Sequence, residues 1–245
     1  MSPASVQKNS GHHVDTFLAD VPVTTQRKPY VEKPSDELKS PGTARANQAA
    51  SAEQPFGTEK GGWAHQYRDQ TVLQQHCAFF DTDSDGVIWP LDTYRGFYAL
   101  GYGFILSLVA LVVIHANFSY PTVQGFLPDP CFRIYIARIH KDKHGSDSGT
   151  YDNEGRFIPQ KFEDIFAKYA SGDKQGITGK EIIRYIQGQA VIMDPIGWGA
   201  AAFEWLATWI LLWPEDGRMK KEDIRRIYDG SLFYDMAARR NKKIN

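Results

Sequence analysis

The chain has only two cysteines in 245 residues, Cys77 and Cys131. Two are too few for a disulfide framework, which points to a reduced, cytosol-facing environment. Neither sign of charge is in excess, with 28 Lys and Arg against 29 Asp and Glu. A net charge of −1 gives no electrostatic footprint for nucleic acid, so no nucleic acid is expected as a partner. No charged-then-apolar signal segment opens the sequence, so any membrane targeting is expected to be internal. The mean hydropathy is negative, which excludes a polytopic membrane protein.

The most informative absence is local. From Gly96 to Pro128 there is no Asp, Glu, Lys or Arg, and His115 is the only side chain there that titrates near neutral pH. Phe97 to Ala116 alone, at about 1.5 Å per residue, is long enough for a hydrocarbon core of about 30 Å. Three readings fit: a full span, a buried core helix, and a hairpin that dips in, turns at Pro121, Pro128 and Pro130, and returns. The hairpin is favoured, because it keeps both ends on one side and lets Arg95 and Arg133 bracket it at headgroup level.

Directly before this run stands FDTDSDGVIWPLD. Asp81, Asp83 and Asp85 alternate, so three carboxylates can converge on one cation. Gly86 occupies the sharp turn, Val87 offers its backbone carbonyl, and Asp92 closes the twelve-residue loop. The twelfth position is usually Glu, and Asp is one methylene shorter. The bland reading is an acidic surface turn. The pattern predicts a calcium loop, with weaker affinity or a shift toward magnesium.

The rest of the chain divides around these two stretches. Residues 1–62 are rich in Pro, Ser, Thr, Gln and charge, and are expected to be a disordered tail with short local order at Asp15–Val23. Residues 63–95 form the calcium-binding region, 96–131 the apolar hairpin, and 132–245 a helical region. The incoming helix is placed within Tyr67–Phe80, and the outgoing one starts near Leu91 and runs into the apolar stretch. Amphipathic helices are expected at Pro159–Tyr169 and Gly179–Gly188, a buried or interfacial helix at Ile196–Trp213, interrupted by Glu204, and a final helix at Lys221–Tyr228. Turns at Asp152–Gly155, near Gly176 and at Asp216–Gly217 resemble degenerate calcium loops that could pair with the intact one. The expected fold class is mostly α: EF-hand-like helix–loop–helix units with an inserted membrane-dipping apolar hairpin.

The segments VLQQHCAFFD, GVIWPLDTYRGF, IHKDKHGSDS and RRIYDGSLF, in this order, resemble the caleosin family, also called plant-type seed peroxygenases. The resemblance covers about Val72 to Phe233. It implies a monotopic, cytosol-facing protein of lipid droplets and endoplasmic reticulum, held by the hairpin and its proline knot. It also implies a calcium-dependent peroxygenase that carries haem b. Such an enzyme passes oxygen from fatty-acid hydroperoxides to unsaturated fatty acids or other lipids, at a phospholipid monolayer or bilayer. A homo-oligomer is left open. Two family histidines are tied to haem and activity, here His76 and His144. They are either axial ligand and distal acid–base group, or both ligands, with Ser146 and Asp147 available to orient the His144 ring.

By their residues alone, His76 is an ordinary helix position and His144 an exposed loop position, with His140 as a competitor. His12, His13 and His65 are expected to be dispensable. No Cys-x-x-Cys-His is present, so covalent haem attachment is excluded. Compared with the family pattern, Asp92 replaces Glu, Asp129 replaces Ser, and Arg133 replaces Pro. A second class of function uses the same loop and hairpin without catalysis, as a droplet coat or calcium-regulated tether. A soluble calcium sensor is a third.

Overall fold

Apolar periods of 3.6 residues separated by short turn-rich loops make this a helical chain with strands of only two or three residues. A computed structural model describes residues 47–244; most of the expected tail, including Asp15–Val23, His12 and His13, lies outside them. In chain order the elements are α1 (Trp63–Gln66), α2 (Val72–Ala78), β1 (Val87–Ile88), α3 (Pro90–Leu100), α4 (Gly103–Thr122), β2 (Ile134–Tyr135), a 3-10 segment (Ile136–Asp142), α5 (Pro159–Tyr169), β3 (Gly176–Thr178), α6 (Gly179–Gln189), α7 (Pro195–Leu212), β4 (Arg218–Lys220), α8 (Lys221–Tyr228) and α9 (Ser231–Ile244). α9 lies beyond α8, the helix expected to be the last.

Local chemistry sets the helix starts. Thr71 opens α2 with a reciprocal cap: its hydroxyl accepts from Gln74 N, and the Gln74 side chain accepts from Thr71 N. Thr178 and Glu181 repeat that arrangement at α6. Proline takes an early position in α3, α5 and α7, where its missing N–H costs no helical bond.

Two short antiparallel ladders organise the fold. β3 pairs with β4, with Ile177 opposite Met219, so the loop between α5 and α6 is tied to the loop between α7 and α8. β1 pairs with β2, with Ile88 opposite Ile134. The intact acidic loop was expected to pair with one of its degenerate echoes. Instead two of the three echoes, near Gly176 and at Asp216–Gly217, pair with each other, and the acidic loop pairs with the segment that returns from the apolar run. Ile88 and Ile134 are both buried in one cluster with Cys77, Phe80, Leu100 and Phe233. A second cluster gathers Val72, Phe157, Phe162, Phe166, Ile177, Tyr185, Trp205 and Met219.

The apolar run starts and ends side by side, because the β1–β2 ladder brackets it. Its first reversal is at Gly101–Gly103, where the expected reading had the outgoing helix run on until the prolines. Gly101 and Gly103 both take positive φ, +108° and +75°, and so break the helix before α4. Pro121, expected at the turn, lies inside α4; the second reversal comes beyond the helix, in the segment with Pro128 and Pro130, after which the chain returns along the last turns of α4. α4 is long and apolar enough to cross a membrane, yet one face is fastened to the body. The His115 Nδ1–H donates to Phe132 O at 2.6 Å, and Nε2 accepts from the Thr93 hydroxyl at 2.7 Å. The Ser119 hydroxyl donates to Arg133 O, and Tyr135 N donates to the Thr122 hydroxyl. The other face leaves Phe104, Ile105, Leu108 and Val112 exposed.

Residues 47–62, counted above with the polar tail, pack as a strap. Ala49 lies in the core, and Thr58 is buried. The Arg225 guanidinium donates to Ala49 O and to the Thr58 hydroxyl, which itself donates to Asp229 at 2.6 Å. Composition hid this segment because its anchors are backbone carbonyls and one threonine, with no apolar period.

Candidate active site and cation loop

The acidic loop brings three of its expected ligands together. One carboxylate oxygen from each of Asp81, Asp83 and Asp85 lies within 4.8 Å of the others. Asp81 is held by its own loop: its oxygens accept from Asp85 N at 3.1 Å and Gly86 N at 2.9 Å. Gly86 makes the turn at φ +82°. Partial burial, with Asp83 alongside, raises the Asp81 carboxyl above its usual range, although the Gly86 N–H opposes this. The cluster does not include Asp92. Its Oδ2 accepts from Trp89 N at 3.0 Å and caps α3. Val87 sits on β1, opposite Tyr135. Three oxygen donors in this arrangement suit a hard divalent cation such as calcium.

His76 lies on the inward side of α2. Its Nδ1 is 2.7 Å from Ile227 O. A carbonyl can only accept, so Nδ1 carries the proton and the lone pair is left on Nε2. Burial pushes the His76 pKa down, which keeps the ring neutral, while the Ile227 bond opposes the shift. Phe233 packs edge-on at 5.1 Å between centroids. The backbone around the ring is tightly set, because Gly230 approaches Gln75 O and His76 Cα with no room for a side chain.

His144 lies in the loop after the 3-10 segment and is 15% exposed at the side chain. Neither ring nitrogen has a hydrogen-bond partner. Nε2 is 3.6 Å from the Glu204 carboxylate, an ion-pair separation longer than a hydrogen bond. Glu204 is the chief cause of a raised His144 pKa, against the opposing effect of burial. The expected orienting residues turn elsewhere. The Ser146 hydroxyl donates to Asp194 at 2.7 Å, and Asp147 accepts from Gly149 N and pairs with Lys143. Sequence reading registered Glu204 only as an interruption of an apolar stretch. That interruption was the usable signal, since Glu204 is the one charged side chain in an otherwise apolar helix.

Asp142 and a group of tyrosines were also missed. Burial pushes the Asp142 carboxyl up to about 8, and its Oδ2 has no hydrogen-bond partner. The Tyr151 hydroxyl donates to Tyr228 O, and the Tyr228 hydroxyl donates to Ser148. The charge of Glu204 favours the protonated form at His76, Asp142, His144, Tyr151 and Tyr228 alike. For b-type haem the donor set fits: His76 offers a free, neutral Nε2 braced through its other nitrogen, and His144 and Asp142 offer buried polar atoms without partners.

The chain is also similar to known proteins. Residues 68–237 match the caleosin family, described as caleosin related protein. A lily (Lilium longiflorum) protein named "Peroxygenase" is 40% identical over 218 residues, 89% of each chain. "Probable peroxygenase 4" of Arabidopsis thaliana is 39% identical over 175 residues, 71% of this chain and 90% of that one. "Probable inactive peroxygenase-like protein", also from Arabidopsis thaliana, is 30% identical over 151 residues, 60% of this chain and 70% of its own. No solved structure matches. With the family matched across both histidines and the acidic loop, and relatives along most of the chain named for the same activity, this chain belongs to the caleosin family of peroxygenases, which are oxidoreductases.

Proposed function

We propose that the chain is a haem peroxygenase that takes oxygen from a fatty-acid hydroperoxide and passes it to the double bond of an unsaturated lipid, with His76 as the residue that would hold the haem and His144 as the proton donor. The observation that carries the assignment is the different partnering of the two rings. His76 is fixed in one tautomer by Ile227 O, neutral, with Nε2 free. His144 faces a carboxylate that favours its protonated form. Bound at His76, haem supplies the iron at which the hydroperoxide is activated. The net reaction balances without an outside reductant: the hydroperoxide leaves as an alcohol and the alkene becomes an epoxide. His144 supports the departure of the alkoxide by giving it a proton, and the neutral His76 keeps its lone pair for the metal.

Calcium dependence has a physical route in this reading. Phe80 directly precedes Asp81 and packs 6.0 Å from Phe233, the ring that lies edge-on to His76. Drawing Asp81, Asp83 and Asp85 onto a cation would set Phe80 and, through one ring, His76.

The reading also places the protein on a lipid surface. The exposed apolar face of α4 and the tip residues Phe126 and Leu127 support insertion from one side, with both ends of the run returning to the same ladder. The cytosolic face of lipid droplets or endoplasmic reticulum is the expected location.

The test is an absorption spectrum of detergent-purified protein, followed by hydroperoxide-dependent epoxidation. His76→Val is expected to lose the Soret band and the haem. His144→Val is expected to keep haem and lose turnover. Retention of full haem and full activity by both variants would overturn the assignment and turn attention to His140. Absence of haem from the parent protein would favour the tether. Calorimetry on an Asp81→Ala, Asp85→Ala variant tests the cation loop, and unchanged calcium binding would refute it.

A further inference from the structure

We propose that Glu204 is the positioning residue for His144, so that the helix α7 supplies a third functional side chain to the site. This rests on the reading of His144 as proton donor. In the eighteen residues of α7, Glu204 is the only charged side chain, and nothing on its own helix compensates it. The neighbouring Trp205 is buried against Tyr185 at 5.1 Å, which fixes the rotation of the helix at this point. Glu204 Oε1 stands 3.6 Å from His144 Nε2, and no other side chain gives either ring nitrogen a hydrogen bond.

A second link sets the register between the two elements. The Ser146 hydroxyl donates to Asp194 Oδ2, Val191 N donates back to that hydroxyl, and Asp194 Oδ1 caps α7 by accepting from Gly197 N. The loop that carries His144 is therefore pinned to the first turn of the helix that carries Glu204. Asp142, Asp147 and Asp194 also act on the ring by charge, but Glu204 is the strongest influence among them.

The chemical role follows from the step His144 performs. When the O–O bond breaks, the electron pair stays with the lipid-side oxygen, which takes a proton from His144 Nδ1 and leaves as an alcohol, while the hydroperoxide's own O–H proton replaces the one His144 gives up. The other oxygen ends in the epoxide. Glu204 pairs with Nε2, which leaves the unpartnered Nδ1 for the substrate, and stabilises the imidazolium before the transfer. It does not itself exchange atoms with the substrate. Its side chain is 56% exposed on the far side, so it can also be rehydrated between turnovers.

The experiment compares Glu204→Gln, which keeps shape and removes charge, with Glu204→Asp, which keeps the charge. Three readouts are taken: haem-to-protein ratio with thermal melting, kcat against KM for epoxidation, and the ring ¹⁵N titration of His144 in the haem-free protein. For Glu204→Gln we expect unchanged haem content and melting, unchanged KM, and kcat lower by about 100-fold, the lower end of what a positioned acid contributes. The His144 midpoint is expected to fall by about one unit, as removal of a nearby opposite charge requires. Glu204→Asp should recover most of both.

Loss of haem or of melting temperature in Glu204→Gln would make the residue structural and overturn the proposal. So would an unchanged kcat and midpoint. Failure of the underlying reading has a different signature: parent protein without haem, or a fully active His144→Val.

Discussion

Gly230 offers a quantitative test of how His76 is held. It stands between α8 and α9 at φ +76°. A Cβ added there would lie 2.8 Å from Gln75 O and 3.0 Å from His76 Cα. Both are backbone atoms of α2, so neither can swing aside as the end of a long side chain would. Gly230→Ala therefore carries two costs. The left-handed backbone costs a side-chain-bearing residue about 1–2 kcal/mol. Forcing packed backbone apart costs a further ~1–3 kcal/mol. The reduced freedom of the unfolded chain returns ~0.4–1 kcal/mol. The net loss comes to about 1–4.5 kcal/mol.

Gly217 supplies the control. Its φ is +71°, and nothing lies within 4 Å of an added Cβ, so Gly217→Ala bears the first cost and the return but not the second. Denaturant titrations of the two variants should differ by about 1–3 kcal/mol, the close-approach component. Because that component acts on the backbone of His76, Gly230→Ala should also bind haem more weakly, while Gly217→Ala should not. Equal stabilities within about 0.5 kcal/mol would mean that the approach of α8–α9 to α2 is soft and cannot be what fixes the His76 ring.

Arg225→Ala is expected to cost about 3–5 kcal/mol in urea unfolding, because it leaves the buried Asp229 carboxylate without its counter-charge, held only by hydrogen bonds from Thr58 and Ser231; a loss below about 1 kcal/mol would show that the strap at 47–62 is held by other means. Asp92→Glu should tighten calcium relative to magnesium in calorimetry, since the longer arm can leave the Trp89 cap and reach the three-carboxylate cluster; an unchanged ratio counts against a ligand role at this position. Asp129 is held down to about 2, first by its hydrogen bond from Arg133, with further bonds from Tyr135 and Cys131 N. Its folded value lies below the unfolded one of 3.8, so its contribution is present above about pH 4 and is lost as pH falls toward 2. The stability difference between the parent protein and Asp129→Asn should close over that window, and a difference constant from pH 6 to 2 would refute the assignment.

Much of the fold was legible because its signals are local. α5 and α8 are bounded as the pattern predicted, at Pro159–Tyr169 and Lys221–Tyr228, since a proline or a charge reversal marks the start and the apolar period marks the face. The acidic loop was legible for the same reason: its three carboxylates and Gly86 fall within six residues. The strap at 47–62 and the pairing of β1 with β2 were not, because both depend on contacts far apart in sequence. Ile88 meets Ile134 across the whole apolar run, and no window of ten or twenty residues contains that information.

The site shows the same division, and it explains what single positions could not reveal. His144 taken with its neighbours suggested Ser146 and Asp147 as its supports, because they were the nearest polar residues in sequence. The chain spends those two on Asp194, Gly149 and Lys143 and brings Glu204 from sixty residues away. The proline segment follows the same logic. Asp129 and Arg133 each depart from the family pattern, and one at a time each looks like a weakening of the knot. Together they form an ion pair at 2.8 Å, with the Arg133 guanidinium also 5.0 Å over the Trp89 ring. The second departure supplies the counter-charge that the first one requires, four residues on, at the point where the chain turns back into β2. The pair, with the Tyr135 hydroxyl and Cys131 N also donating to Asp129, fixes the closing of the apolar run by charge and hydrogen bonding.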